Sequence, residues 1–243
     1  MNLAAKKCFS VTISKTPQSF PFLLCKTQIP SLNTAKDLGI FISNNLKWNT
    51  HVNYLYNQAN ACSYHITKFT KSKNIWTLVK LYKTYIRPKL EFNTPAWSPY
   101  LLQDIRKIEN VQKHYTKFIF KKCNLSFKSY SDRLFQLNMH SLEYRRIKFD
   151  LVFLFKIIHG ASGLSFDNFL KFKTRTHLLR SNQDNIETIF KSNNSRWLHS
   201  FFARTSKVWN KLPNKISSSS CLTDFKTNLD NFNLNDITPL NFP

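Results

Sequence analysis

Three glycines are all that this chain of 243 residues contains: Gly39, Gly160 and Gly163. Glycine supplies the positive-φ positions of tight turns and lets backbone come close to phosphate groups. With three so scattered, neither a Gly-x-Gly-x-x-Gly loop nor a Walker-type phosphate loop can be assembled, which excludes dinucleotide-binding and P-loop enzymes. A strand-rich sandwich or barrel, with its many tight turns, is disfavoured too. The chain can still bury a sizeable core. Its residues are 42% hydrophobic and 15% aromatic, with 22 Phe, which excludes intrinsic disorder.

Hydrophobic spacing divides the chain. Over residues 1–48 the period is two: Phe9, Val11 and Ile13 alternate with polar neighbours, Phe22-Leu23-Leu24 forms a short run, and Leu38, Ile40 and Ile42 alternate again. This predicts a small three-stranded antiparallel patch. From Trp48 the period becomes helical. Val52, Leu55, Ala59, Cys62, Ile66 and Phe69 mark one helix, and Ile75, Leu78, Val79, Tyr82, Tyr85 and Ile86 a second, which Pro88 ends or kinks. A third helix is expected over 101–122, a short one over 131–137, and a long one over 142–159 with Gly160 as its C′ residue. Residues 161–195 read as loop with one or two short strands near 186–190. Further helices are expected near 197–212 and 222–232. The fold class is therefore α+β and mostly α, divided as 1–48 (antiparallel strands), 49–160 (basic helical domain) and 161–243 (C-terminal region).

Charge narrows the choice of partner. Lys and Arg number 36 against 13 Asp and Glu, a formal net charge of +23. The excess is concentrated in residues 49–160, with 19 basic and 6 acidic side chains. Such a field attracts polyanions, nucleic acid first and an anionic membrane surface second. Five cysteines, Cys8, Cys25, Cys62, Cys123 and Cys221, are odd in number and widely spaced. They form neither a disulfide framework nor a zinc ribbon, which points to a reducing compartment, cytoplasmic or nuclear. No apolar run is long enough to span a membrane, and stable membrane association is not expected.

Catalytic groups do not converge. The acids are scattered with no two adjacent, so they do not resemble a two-metal carboxylate cluster. Glu91, Asp104, Glu109, Asp132 and Glu143 read as surface partners of neighbouring cations. The seven histidines, His177 among them, show no metal-ligand spacing. The basic helices are the stronger signal. Lys113, Lys117 and Lys121 recur every fourth residue and share a helix face, with Lys122 beside them. Arg145, Arg146 and Lys148 crowd the first turns of the long helix, where cations oppose the helix dipole. These seven are the candidate nucleic-acid-binding residues, with phosphate as their counter-charge. Tyr82, Tyr85, Trp97, Tyr115 and Tyr144 could stack on bases, but most lie on apolar stripes and are assigned to the core.

Four stretches taken in order carry a family resemblance. The first is Lys36-Asp37-Leu38-Gly39-Ile40, followed by Leu46-Lys47-Trp48 and His51-Val52. The second runs from Leu81-Tyr82-Lys83-Thr84-Tyr85-Ile86-Arg87-Pro88 through Leu90-Glu91-Phe92 to Trp97-Ser98-Pro99-Tyr100. The third spans Leu142-Glu143-Tyr144-Arg145-Arg146 and Phe155-Lys156-Ile157-Ile158-His159-Gly160. The fourth is Ser200-Phe201-Phe202-Ala203-Arg204-Thr205 with Val208-Trp209-Asn210 and Leu212-Pro213. Their order and spacing resemble the carboxy-terminal part of a non-LTR (LINE-type), jockey-like retrotransposon reverse transcriptase.

The resemblance implies that residues 2–14 are the end of a polymerase palm and that Leu38 and Gly39 belong to its primer-support strand. Residues from 48 onward would form the thumb that grips a template–primer duplex. It also implies what is missing. Such polymerases hold two divalent metals, Mg in the usual case, on an aromatic-x-Asp-Asp turn and a further palm Asp, and this chain has no Asp-Asp pair. The expectation is a truncated RNA-directed DNA polymerase fragment of a mobile element, without catalytic residues or a cofactor of its own. It would retain sequence-independent binding to RNA or RNA–DNA duplex. The alternative is an independent basic helical nucleic-acid-binding or scaffold protein with no enzymatic role.

Overall fold

The computed structural model of the protein describes residues 8–13, 21–24, 26–173 and 185–242. Cys25, His177 and residues 2–7 of the polymerase-like block lie outside the described residues. The architecture is α+β and mostly α.

The strands form separate antiparallel pairs: β1 (Leu23–Leu24) with β2 (Thr27–Gln28), β3 (Thr34–Asp37) with β4 (Ile40–Ser43), and β5 (Leu170–Phe172) with β6 (Ile186–Thr188). The expected three-stranded patch is thus two hairpins. The Phe9–Ile13 segment reaches them through a single parallel bridge between Ser10 and Ser31. Leu38 and Gly39 are not in a strand. They form the two-residue turn between β3 and β4, with φ of 45° and 87°. Positive φ at both central residues is the type I′ geometry of a two-residue hairpin, and this turn overrides the apolar alternation that reads Leu38 as strand. Ile40 enters the helical core and Ile42 packs against it, which seats the hairpin on the first helix.

That helix, α1 (Asn49–Phe69), and α5 (Leu102–Lys122) are each 21 residues long. They run parallel, because Lys107 Nζ donates to Asn53 Oδ1 near one end and Lys122 Nζ to the Thr70 carbonyl at the other. Between them the chain returns through α2 (Ile75–Leu81), a π-helical turn over Tyr82–Ile86, α3 (Arg87–Glu91) and α4 (Thr94–Trp97). Pro88 does not end the second helix. It lies in the first turn of α3, just after the widened π turn, where its missing N–H leaves no α-helical bond unmade. Beyond α5 come α6 (Tyr130–Gln136) and α7 (Leu142–Ile158), whose N-caps Ser129 and Ser141 accept from the N–H groups of Asp132 and Tyr144. Gly160 closes α7 as expected: its N–H donates to the Ile157 carbonyl, and that of Ala161 to Lys156, the two bonds of a Schellman motif.

The expected helix over 197–212 is broken into α8 (Ser195–Leu198) and α9 (Phe201–Trp209), followed by α10 (Asn214–Ser217) and α11 (Leu222–Asp230). Two apolar clusters hold these elements together. One contains Val52, Leu78, Tyr82, Trp97, Ile108, Tyr115 and Leu142. The other contains Tyr144, Leu151, Leu154, Phe155, Leu170, Trp209, Phe225 and Leu229. The division between the clusters falls at 142–144, within the first turn of α7, and not at 160. Helix α7 packs on α4 and α5 on one side and on α9 and α11 on the other, so it belongs to both.

Candidate nucleic-acid interface

The seam along α7 is built from charge. Glu109 of α5 is fully buried and accepts from the Leu142 N–H with both carboxylate oxygens (3.1 Å each) and from the Tyr130 hydroxyl. Burial pushes its carboxyl pKa up, against the opposing pull of those bonds and of Arg146. Arg204 forks onto Asp150 at 2.8 and 3.2 Å and donates to the Pro95 carbonyl at 2.8 Å. Arg145 forks onto Glu91, with its Nη2 2.9 Å from Oε2. Glu143 accepts from the N–H groups of Asn241 and Phe242 and from the Asn241 side-chain amide. Glu91, Glu109 and Glu143 are therefore buried or half-buried struts and not the surface partners their scatter suggested.

This network corrects three of the seven candidate contacts. Arg146 is 3% exposed and lies among Glu109, Glu143, Asp150 and Glu91, so it cannot reach a phosphate. Arg145 is held by Glu91, and Lys148 forms an ion pair with Asp230. The cations at the start of α7 are thus balanced by carboxylates from α3, α5, α11 and α7 itself, a compensation the helix-dipole argument could not see. Lys113 is half-buried under the rings of Phe242 and Tyr130, its Nζ 4.1 and 5.2 Å from their centroids. Leu38 and Gly39 occupy a hairpin tip, as described above.

Lys117 and Lys121 remain exposed on α5, and Lys122 is half-buried. The parallel course of α1 and α5 brings them to a common end with residues the spacing argument did not select. Lys122 Nζ donates to the Thr70 carbonyl, and the Cys123 thiol donates to the Lys73 carbonyl at 3.0 Å. Lys68, Lys71 and Lys73 are exposed on the α1 side of that contact. Both helices point their negative dipole ends here, which makes lysines in the last turns locally favourable. Six cations lie at or just beyond the ends of these two helices, and no carboxylate occurs in residues 38–90 or 110–131. That pair of acid-free stretches was the available sequence signal. Spacing along either helix does not join the two stretches, because α1 and α5 lie far apart along the chain. Of the five aromatics considered for stacking, Tyr82, Trp97, Tyr115 and Tyr144 are buried and only Tyr85 is exposed.

Other chemistry finds little footing. A cavity of about 360 Å³ lies between α7, α9 and the Ser98–Tyr100 loop, but its charged groups Arg204, Asp150 and Glu143 are engaged as described above. Among the described residues no group of three or more His, Cys, Asp or Glu could hold a metal ion, and no helix is long and apolar enough to cross a membrane.

Comparison with known proteins adds one relative. Over 115 residues the chain is 30% identical to an uncharacterized protein of Caenorhabditis elegans. The match covers 47% of this chain and 58% of that protein, so the chain spans little more than half the relative's length. No protein-family model matches the chain. No solved structure matches it.

Proposed function

We propose that this chain is a thumb-bearing fragment of an RNA-directed DNA polymerase of a mobile element, without catalysis of its own, and that it binds RNA or RNA–DNA duplex without regard to sequence. The observation that carries the binding is the acid-free end where α1 and α5 finish side by side, with Lys68, Lys71, Lys73, Lys117 and Lys121 exposed and Lys122 at its edge. The polymerase ancestry rests on the four ordered sequence blocks. It is supported by the exposed apolar side chains Phe9, Ile13, Phe22, Leu23 and Leu32, of which Leu23 lies in β1, a stretch of apolar surface that a partner such as the palm would cover.

A second reading, an independent basic helical binding protein, draws on the way β3 and β4 are packed onto α1 through Ile40. A protein so integrated does not need a palm to fold. Both readings use the same interface.

Binding of the full chain to a blunt RNA–DNA duplex tests the interface. Five lysines neutralising five phosphates give a log–log salt slope of about −4.5, a loss of ~500-fold in affinity between 50 and 200 mM salt. Replacing Lys117 and Lys121 with Ala lowers the slope to about −2.7. An affinity indifferent to salt, or a double variant with an unchanged slope, rules out the interface.

A further inference from the structure

We infer that the end of α1 is a stacking platform for unpaired bases, so that the preferred ligand is a duplex with a single-stranded extension and not a blunt duplex. The inference rests on the basic interface proposed above and adds a second contact to it. Tyr64 and Phe69 are 58% and 69% exposed on the last turns of α1. His65 lies between them, its ring centroid 5.9 Å from that of Tyr64 and 6.2 Å from that of Phe69, within 7° of parallel to the latter. Lys68 Nζ is 5.5 and 5.7 Å from the same two rings. The four side chains therefore form one contiguous patch of three aromatic planes around a cation.

The surroundings select the occupant. An exposed aromatic patch meant for another protein's apolar face is ordinarily framed by apolar or mixed-charge surface. Here the adjoining residues are Lys71 and Lys73 on the following loop and Lys122 of α5, within stretches that carry no acid. Planar rings interleaved with lysines match a ligand that alternates planar bases with phosphates. In a duplex the base faces are occupied by their neighbours, whereas in a single strand they are free to stack. The patch and the Lys117–Lys121 pair belong to the same end of the bundle, where Lys122 of α5 bonds the residue that follows Phe69.

The test measures binding of the full chain to four probes at one salt concentration: a blunt RNA–DNA duplex, the same duplex with a single-stranded RNA tail, with that tail lacking its bases, and with a DNA tail. The tail is expected to raise affinity by about tenfold or more, the base-free tail to recover only the electrostatic part, and a DNA tail to match RNA, because stacking reads the base face. Tyr64→Ala with Phe69→Ala should abolish the tail's advantage and leave blunt-duplex affinity within about twofold, while Tyr64→Phe with Phe69→Trp restores it. Both positions are exposed, and an unchanged melting temperature confirms the fold. Tail and base-free tail binding alike, or an alanine pair that keeps the full advantage, overturns the platform and leaves the duplex reading standing. Ring-dependent tail binding without measurable blunt-duplex binding supports the platform and overturns the duplex reading. Failure of every probe to bind overturns both.

Discussion

His51 offers the sharpest test of the packing around the first core. Its ring is fully buried, edge-on to Trp97 at 4.8 Å, and its Nδ1 accepts from the Phe41 N–H at 3.4 Å. That bond places the ring proton on Nε2, which has no partner. Burial, with the Lys36 charge adding to it, lowers the imidazole pKa from 6.5 to about 4. The folded state therefore resists protonation that the unfolded chain accepts. Stability is fully present above pH 6.5 and is lost as pH falls from 6.5 toward 4. The difference corresponds to ~3 kcal/mol in total, of which about 2.5 kcal/mol is already lost at pH 4.5. Urea unfolding followed by tryptophan fluorescence at pH 7.5 and 4.5 measures it. His51→Gln keeps an acceptor for Phe41 and removes the titration. Carboxyls whose pKa is raised in the fold, such as Glu109 and Asp150, contribute with the opposite sign in both proteins, so the difference between the two curves isolates His51. Equal acid sensitivity in the wild type and the variant would refute the reasoning.

Two further predictions concern stability. Arg146→Met removes the buried guanidinium whose charge acts on Glu109, Glu143 and Asp150. A loss of about 3 kcal/mol is expected in equilibrium unfolding, and a loss under 1 kcal/mol would show that the carboxylates do not depend on it. Leu38→Asn places a residue tolerant of left-handed backbone at an 85% exposed turn position with φ of 45°. A gain of ~1 kcal/mol is expected, and destabilisation would mean that the Leu38 side chain makes contacts its exposure does not reveal.

The helices were legible because their apolar residues keep a strict 3.6 period over long runs. Helix α1 (Asn49–Phe69) begins three residues ahead of the Val52–Phe69 stripe and ends with it, and α7 (Leu142–Ile158) ends one residue short of its expected bound. What remained hidden depends on partners distant in sequence. Nothing local shows that Glu91 forks onto Arg145 or that Glu109 bonds the Leu142 N–H, so the acids read as surface and the arginines as ligands. The π turn before Pro88 was invisible for a related reason: the apolar stripe passes through it almost undisturbed. The basic end was half legible. Lys117 and Lys121 follow from helical spacing, but Lys68, Lys71 and Lys73 join them only because α1 and α5 happen to be parallel.

The division of the core within the first turn of α7 also bears on how the chain is made. Every residue of the first cluster lies between Ile40 and Leu142, so its burial can be complete before Phe225 and Leu229 have emerged from the ribosome. The second cluster cannot close until Phe225 and Leu229 have emerged. In the interval α7 is anchored at its first turn and carries Leu151, Leu154 and Phe155 uncovered, a window for chaperone capture or aggregation. Arrested nascent chains should therefore show two separate folding events along their length, and a single event near full length would mean that neither cluster is stable without the other.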